Sequence, residues 1–207
     1  MIFLLIDTSE EDVSIAILKD QKILSSITKT APNDHSKYTV KMIDEAIKKA
    51  KITTHDIDKI MAVVGPGSFT GLRIGITIAK TFAYLEKIEI IPISSLKMRV
   101  LSQSNNYCLS LIDAHHDNFY VGLYDNKYNE VIKEQFMNKN KVIELINKYH
   151  PAIISNKDGK IEEYSYKKIE LNPLKIVEYY KDIPSINPHL VNPNYLKLPQ
   201  ALEEKKW

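Results

Sequence analysis

The sequence predicts an α/β protein of two lobes, each built on one β-β-β-α-β unit that occurs twice along the chain. Three observations carry this. Residues 5–18 and 111–124 each run as an apolar strand ending in Leu-Ile-Asp, a polar turn and a second apolar strand, so that Asp7 and Asp113 hold the same place. A third strand, a helix and a short strand follow each hairpin in the same order. Residues 65–71, Gly-Pro-Gly-Ser-Phe-Thr-Gly, join an apolar strand to an apolar helix, the tight turn that an α/β crossover uses.

The elements follow in chain order. Residues 1–6 are apolar and meet Asp7 at once, with no basic leader, so they read as a buried strand rather than a signal peptide. A third strand is expected at 22–25 and a helix over about 35–50. On that helix Val40, Ile43, Ile47 and Ala50 make one apolar face, with Tyr38 and Met42 standing off it. His35 is expected to belong to the helix's N-terminal turn with Asp34. Strand 59–64 leads into the motif loop Gly65, Pro66, Gly67, Ser68 and Thr70, where Ser68 and Thr70 are natural N-caps. The next helix, 72 to about 85, carries small residues every fourth position at Gly71, Gly75, Ala79 and Ala83. Positions four apart share a helix face, so this is a smooth stripe that another backbone can approach. Leu72, Ile74, Ile76, Ile78, Phe82 and Leu85 cover the other sides, and a helix apolar all round is buried on more than one side. A strand at 89–93 completes the first lobe. The second repeats the pattern with strands at 130–133 and 152–154 around a helix at 139–149. The expected division is 1–103 and 104–207, with the last 15 or so residues returning to the first lobe.

Composition narrows the function. The net charge of +2 gives no electrostatic case for nucleic acid, and no stretch approaches the roughly 20 apolar residues of a membrane span. The single cysteine, Cys108, excludes an internal disulfide and reads as a buried thiol. None of the six histidines is paired at the i, i+4 spacing of a helical metal site. The first hairpin turn places Asp7, Glu10, Glu11 and Asp12 where a phosphate would need backbone N–H groups, and like charges repel. Residues 65–71 lack the Lys-Ser/Thr of a P-loop, and Ser68 lacks the spacing of a nucleophile elbow. Residues 164–168, Tyr-Ser-Tyr-Lys-Lys, read as a solvated surface strand rather than an RNA contact. Only two of the 28 basic residues are arginines, and Arg73 stands out against that bias.

Residues 65–75, Gly-Pro-Gly-Ser-Phe-Thr-Gly-Leu-Arg-Ile-Gly, resemble the hallmark of the TsaB and TsaD families. Ile6-Asp7-Thr8-Ser9 is similar to both, and His35-Ser36 with Met42-Ile43-Asp44 resembles their first helix. Asp113-Ala114-His115 and Pro193-Asn194-Tyr195-Leu196-Lys197 resemble TsaB, each with one substitution. TsaD carries a His-x-x-x-His metal motif after the strand that follows the hallmark helix; here Ser94-Ser95-Leu96-Lys97-Met98-Arg99 stands there, so the likeness is to TsaB. That resemblance implies an actin-like (ribonuclease H-like) duplicated fold, no catalytic or metal residues and no cofactor. It implies a cytoplasmic scaffold that binds a TsaD-type protein, supports a TsaE-type ATPase and meets tRNA only through the complex that makes threonylcarbamoyladenosine. The partner interface, or a homodimer through the same helices, is expected at Tyr38, Met42, Gly71, Arg73, Gly75, Ile78, Ala79 and Phe82. The alternatives are a small actin-like ATPase or kinase using Asp7 and Asp113, and a peptidase.

Overall fold

The fold is that of a computed structural model, which describes residues 1–31, 34–155, 161, 164–167 and 171–197. The first five strands are β1 (Ile2–Asp7), β2 (Asp12–Lys19), β3 (Lys22–Thr30), β4 (Lys59–Gly65) and β5 (Ile90–Ser94), ordered β3-β2-β1-β4-β5. β1 and β2 form an antiparallel hairpin with Asp7 opposite Ser14. β4 runs parallel to β1, and β5 parallel to β4. A parallel neighbour requires a crossover, which α1 (His35–Ala50) and α2 (Phe69–Glu86) supply. β3 extends five residues past the expected strand.

β1 is buried from Phe3 to Asp7, as expected of a strand covered on both faces. Side chains alternate across the sheet. Leu4, Ile6, Ile15, Ile17, Ile60 and Ala62 face α1 and α2. Phe3, Leu5, Leu18, Met61, Val63 and Ile91 face the opposite way. Two short helices cover that second face, α3 (Ser95–Val100) and, from far along the chain, α5 (Pro173–Tyr180), through Met98, Ile176, Val177 and Tyr180. By packing, α5 belongs with the first sheet although it lies well beyond residue 104.

The second sheet repeats the plan with β6 (Tyr107–Asp113), β7 (Asn118–Asp125), β8 (Glu130–Asn138) and β9 (Ala152–Ser155), ordered β8-β7-β6-β9. α4 (Lys139–Tyr149) makes the crossover to β9 and covers the sheet with Val142 and Ile146. Where the first sheet has β5, the second has an isolated parallel bridge from Ile154 to Lys167. The molecule is thus a duplicated, actin-like α/β fold.

On α1 the buried face is His35, Thr39, Met42, Ile43, Ala46 and Ile47. This corrects the expected face: Val40 is 56% exposed, and Met42 is buried. Both readings share Ile43 and Ile47, and the difference is a rotation of about one residue around the axis.

α1, α2 and α4 end on left-handed residues at Lys51, Lys87 and His150, positions usually given to glycine. A side chain in that conformation costs energy that glycine avoids. Lys51→Gly is therefore expected to raise stability by about 0.5–1 kcal/mol, read as a higher urea midpoint at unchanged slope.

Candidate partner face and interlobe cleft

The motif loop is a backbone-to-backbone joint. β4 ends at Gly65 with φ of 114°, a conformation side chains rarely adopt. The Ser68 N–H donates to the Ser9 carbonyl at 2.8 Å, and Ser68 Oγ accepts from the Gly71 N–H at 3.2 Å, so Ser68 is the N-cap of α2. Thr8 Oγ1 donates to the Gly71 carbonyl at 2.7 Å, and Ser95 Oγ donates to the Pro66 carbonyl. A Cβ at Gly67 would overlap the Ser9 carbonyl oxygen, one at Gly71 the Thr8 carbonyl oxygen, and one at Gly75 the Thr8 hydroxyl. The glycines therefore let the loop and α2 press onto the β1–β2 turn, at 65–75 against Asp7-Thr8-Ser9.

This corrects the reading of the small-residue stripe as a docking surface. Gly71, Gly75, Ala79 and Ala83 are buried within the chain. Met42 is buried too. Of the expected interface residues, Tyr38, Ile78 and Phe82 are half-buried against the first core, and Arg73 is exposed. The outward side of these helices also carries Val40, Phe69, Tyr84 and Leu85, the last two 65% and 70% exposed. The apolar end of α2 at Tyr84-Leu85 signalled this in the sequence.

The tail runs beside α2. Ile186 bridges Ile90 on the β5 edge, the Asn194 N–H donates to the Val64 carbonyl at 2.8 Å, and Lys80 Nζ donates to the Val191 carbonyl at 3.0 Å. Arg73 Nε donates to Tyr195 Oη at 2.8 Å, the guanidinium lies 3.8 Å from the Phe69 ring centre, and Phe69 stacks on Tyr195 at 5.2 Å. Residues 198–207 of the tail lie outside the described residues, as does Lys168.

The cleft between the sheets is closed by an ion pair. Arg99 on α3 is 2% exposed; it pairs with the Glu10 carboxylate, and its Nη1 donates to the Leu111 carbonyl of β6 at 3.0 Å. Burial lowers the Arg99 pKa to about 10, and the nearby Asp7 charge opposes the shift. Asp7 accepts the Ser9 N–H at 2.9 Å, and burial pushes its carboxyl above the usual carboxylate range, against the Ser9 hydrogen bonds and Arg99. Asp113 accepts the His115 N–H at 2.9 Å in the same way, which confirms the equivalence of the two hairpins. His35 reaches this turn as well: its Nε2 donates to the Glu10 carbonyl at 2.6 Å. Asp34, by contrast, makes no side-chain cap bond, so His35 is tied to the β1–β2 turn rather than to its own helix start.

A second link joins the lobes at the side. Glu134 on β8 accepts from Tyr124 Oη at 2.6 Å and from Ser94 Oγ at the end of β5. Burial raises the pKa of both Glu134 and Tyr124.

A small cavity of about 50 Å³ lies on the first sheet beneath α5, with Asp7, Ser14, Met98 and Ile176 in its wall and no residue of the second sheet. Small-molecule sites usually measure about 300–1,000 Å³. A wider groove of about 730 Å³ lies at the far end of the first sheet, between Met1, Phe3, Asp20 and α5, away from both aspartates. Among the described residues no three His, Cys, Asp or Glu side chains cluster as metal ligands, and no helix is long and apolar enough to cross a membrane. Asp7→Asn keeps the acceptor for Ser9 and removes a buried acid. An acid whose pKa is raised by folding stabilises the fold at low pH and loses that contribution as pH rises through the folded value. The variant is therefore expected to gain stability over wild type at pH 7 relative to pH 4, in urea titrations at both.

Comparison with known proteins gives four likenesses. The family model described as TsaD, tRNA N6-adenosine threonylcarbamoyltransferase, matches residues 22–183. The tRNA threonylcarbamoyladenosine biosynthesis protein TsaB of Bacillus subtilis is 26% identical, covering 100% of this chain and 98% of that protein. A tRNA N6-adenosine threonylcarbamoyltransferase of Fusobacterium nucleatum is 30% identical over 54% of this chain, which spans only 39% of that protein. Among solved structures, YeaZ from Pseudomonas aeruginosa superposes with a TM-score of 0.80 at 21% identity, covering 94% of this chain and 99% of that one.

Proposed function

The chain belongs to the TsaB family, within the wider TsaD family, and from that premise we propose that its part in tRNA threonylcarbamoyladenosine biosynthesis is a non-catalytic one: it binds and supports a TsaD-type enzyme. The observation that carries this is the filled cleft. Asp7 and Asp113 stand where an actin-like ATPase would use them. Yet Arg99 occupies the space between the turn and β6, with Glu10 bound to it and its Nη1 on the Leu111 carbonyl. A buried guanidinium that neutralises the cleft's own carboxylates does the structural work a metal and phosphate would do elsewhere.

The surface left for function is the outward side of α1 and α2. Val40, Tyr84 and Leu85 are exposed apolar side chains there, beside the half-buried Tyr38, Ile78 and Phe82. Aromatic and apolar groups of this kind form the centres of protein interfaces. In this reading the TsaD-type enzyme docks on that face, a TsaE-type ATPase joins the pair, tRNA is met through the complex, and the assembly works in the cytoplasm. A second copy of this chain would use the same face in the enzyme's absence.

The test is mixing the purified chain with the TsaD-type enzyme of the same organism on a sizing column with light scattering. One peak at the summed mass of a complex is expected. Two proteins eluting at their separate masses at micromolar concentration would defeat the reading.

A further inference from the structure

We propose that Phe69, Arg73 and Tyr195 form the anchor of the partner face, and that they take a protein surface presenting an unpaired carboxylate beside an apolar side chain. The proposal rests on the partner reading above. Three side chains from two segments, 122 residues apart for the Arg73–Tyr195 pair, build the anchor. The Arg73 guanidinium is held in place twice, by Tyr195 Oη on its Nε and by the Phe69 ring at 3.8 Å beneath its plane. That leaves the edge formed by its two Nη groups, which is the edge that grips a carboxylate with two parallel hydrogen bonds. A guanidinium already fixed in its bound geometry loses little entropy on pairing.

Among the described residues Arg73 meets Tyr195 and Phe69 and pairs with no carboxylate, and the first turn of α2 has no acidic residue. Phe69 is 44% exposed and Tyr195 37%, so apolar surface flanks the free edge. Arginine and aromatic residues clustered in this way are the composition of interface hot spots. A nucleic-acid backbone fits less well. It is gripped by a row of cations, whereas the nearest one along α2, Lys80, is engaged by tail carbonyls, and the exposed neighbours Thr77, Thr81, Tyr84, Leu85 and Leu190 are uncharged. The tail is thus part of the docking surface, and the small-residue stripe, buried inside, is not.

The experiment measures the affinity of the full chain for the TsaD-type enzyme at two salt concentrations, for wild type, Arg73→Glu, Arg73→Lys and Tyr195→Phe. Expected is a loss of about tenfold or more for Arg73→Glu, with a flatter salt dependence, and a smaller loss for Arg73→Lys, which keeps the charge without the planar fork. Tyr195→Phe removes one hydroxyl and keeps the stack, so it reads the fixing of Arg73 without unfolding the tail; a loss of several-fold is expected. An affinity for Arg73→Glu within about twofold of wild type overturns the anchor. So does a result in which Arg73→Glu spares the enzyme's affinity but weakens tRNA binding by the assembled complex, since the site would then be a phosphate contact. Absence of binding by the wild type itself defeats the partner reading, and the anchor with it. Normal wild-type binding with an indifferent Arg73 defeats the anchor alone.

Discussion

Arg99→Met is expected to cost about 3–5 kcal/mol of folding stability, the usual consequence of removing one partner from a buried ion pair. Three groups depend on this guanidinium. Glu10 loses its ion-pair partner, the Leu111 carbonyl its donor, and Asp7 the nearest compensating charge. Because Arg99 links α3 to β6, the loss also loosens one sheet from the other. The pH dependence has a definite sign. Asp7 is already held above its ordinary value by burial, and without Arg99 it rises further. A raised carboxyl pKa means that the fold favours the protonated acid, so the stability it contributes falls as pH rises through the folded value. The difference between Arg99→Met and wild type should therefore widen from pH 5 to pH 8 in urea unfolding. The pair Arg99→Met and Glu10→Gln together should recover part of the loss. A cost below about 1 kcal/mol would mean that the pair is a surface-type interaction, and the cleft is not closed as described.

The second large effect is at Gly75. Gly75→Leu is expected to prevent folding of the first lobe, and Gly75→Ala to cost about 1–3 kcal/mol as an overpacked contact. The added Cβ overlaps Thr8 Oγ1 and comes within 3.2 Å of Thr8 Cβ. Thr8 cannot turn away freely, since its hydroxyl is committed to the Gly71 carbonyl in a buried bond. Thr8→Ala removes both the clash and that bond, so the two substitutions should be non-additive, with Gly75→Ala costing less in the Thr8→Ala background. A thermal-unfolding cycle over the four proteins reads this. If Gly75→Ala folds with wild-type stability and fails only in partner binding, the stripe faces a partner after all.

The strands were legible because alternation and the two Leu-Ile-Asp hairpins are local signals, and the parallel crossovers follow from the helices between strands. The stripe was legible as a face but not as to what covers it. Periodicity shows that Gly71, Gly75, Ala79 and Ala83 share a side, while the close approach of Thr8 is a tertiary fact. Arg99 carries the same compositional signal as Arg73. It is the other of the two arginines, and the rarity that singled out Arg73 applies to it equally. Its partner Glu10 lies 89 positions earlier, and no spacing rule joins them. The bond from His35 to the Glu10 carbonyl likewise joins distant segments, and the adjacent Asp34 gives no sign of it. The return of α5 to the first lobe is a matter of which apolar face was left bare, here that of Phe3, Leu5 and Met61.

The most direct test of a non-catalytic role is reconstituted threonylcarbamoyl modification of tRNA with the TsaD- and TsaE-type proteins and the pathway's other components, in the presence and absence of this chain. The account predicts modification that requires the chain and is restored in full by the Asp7→Asn and Asp113→Asn double variant. Full-rate modification without the chain, or modification lost with the two aspartates while the variant still folds and binds the enzyme, would contradict it.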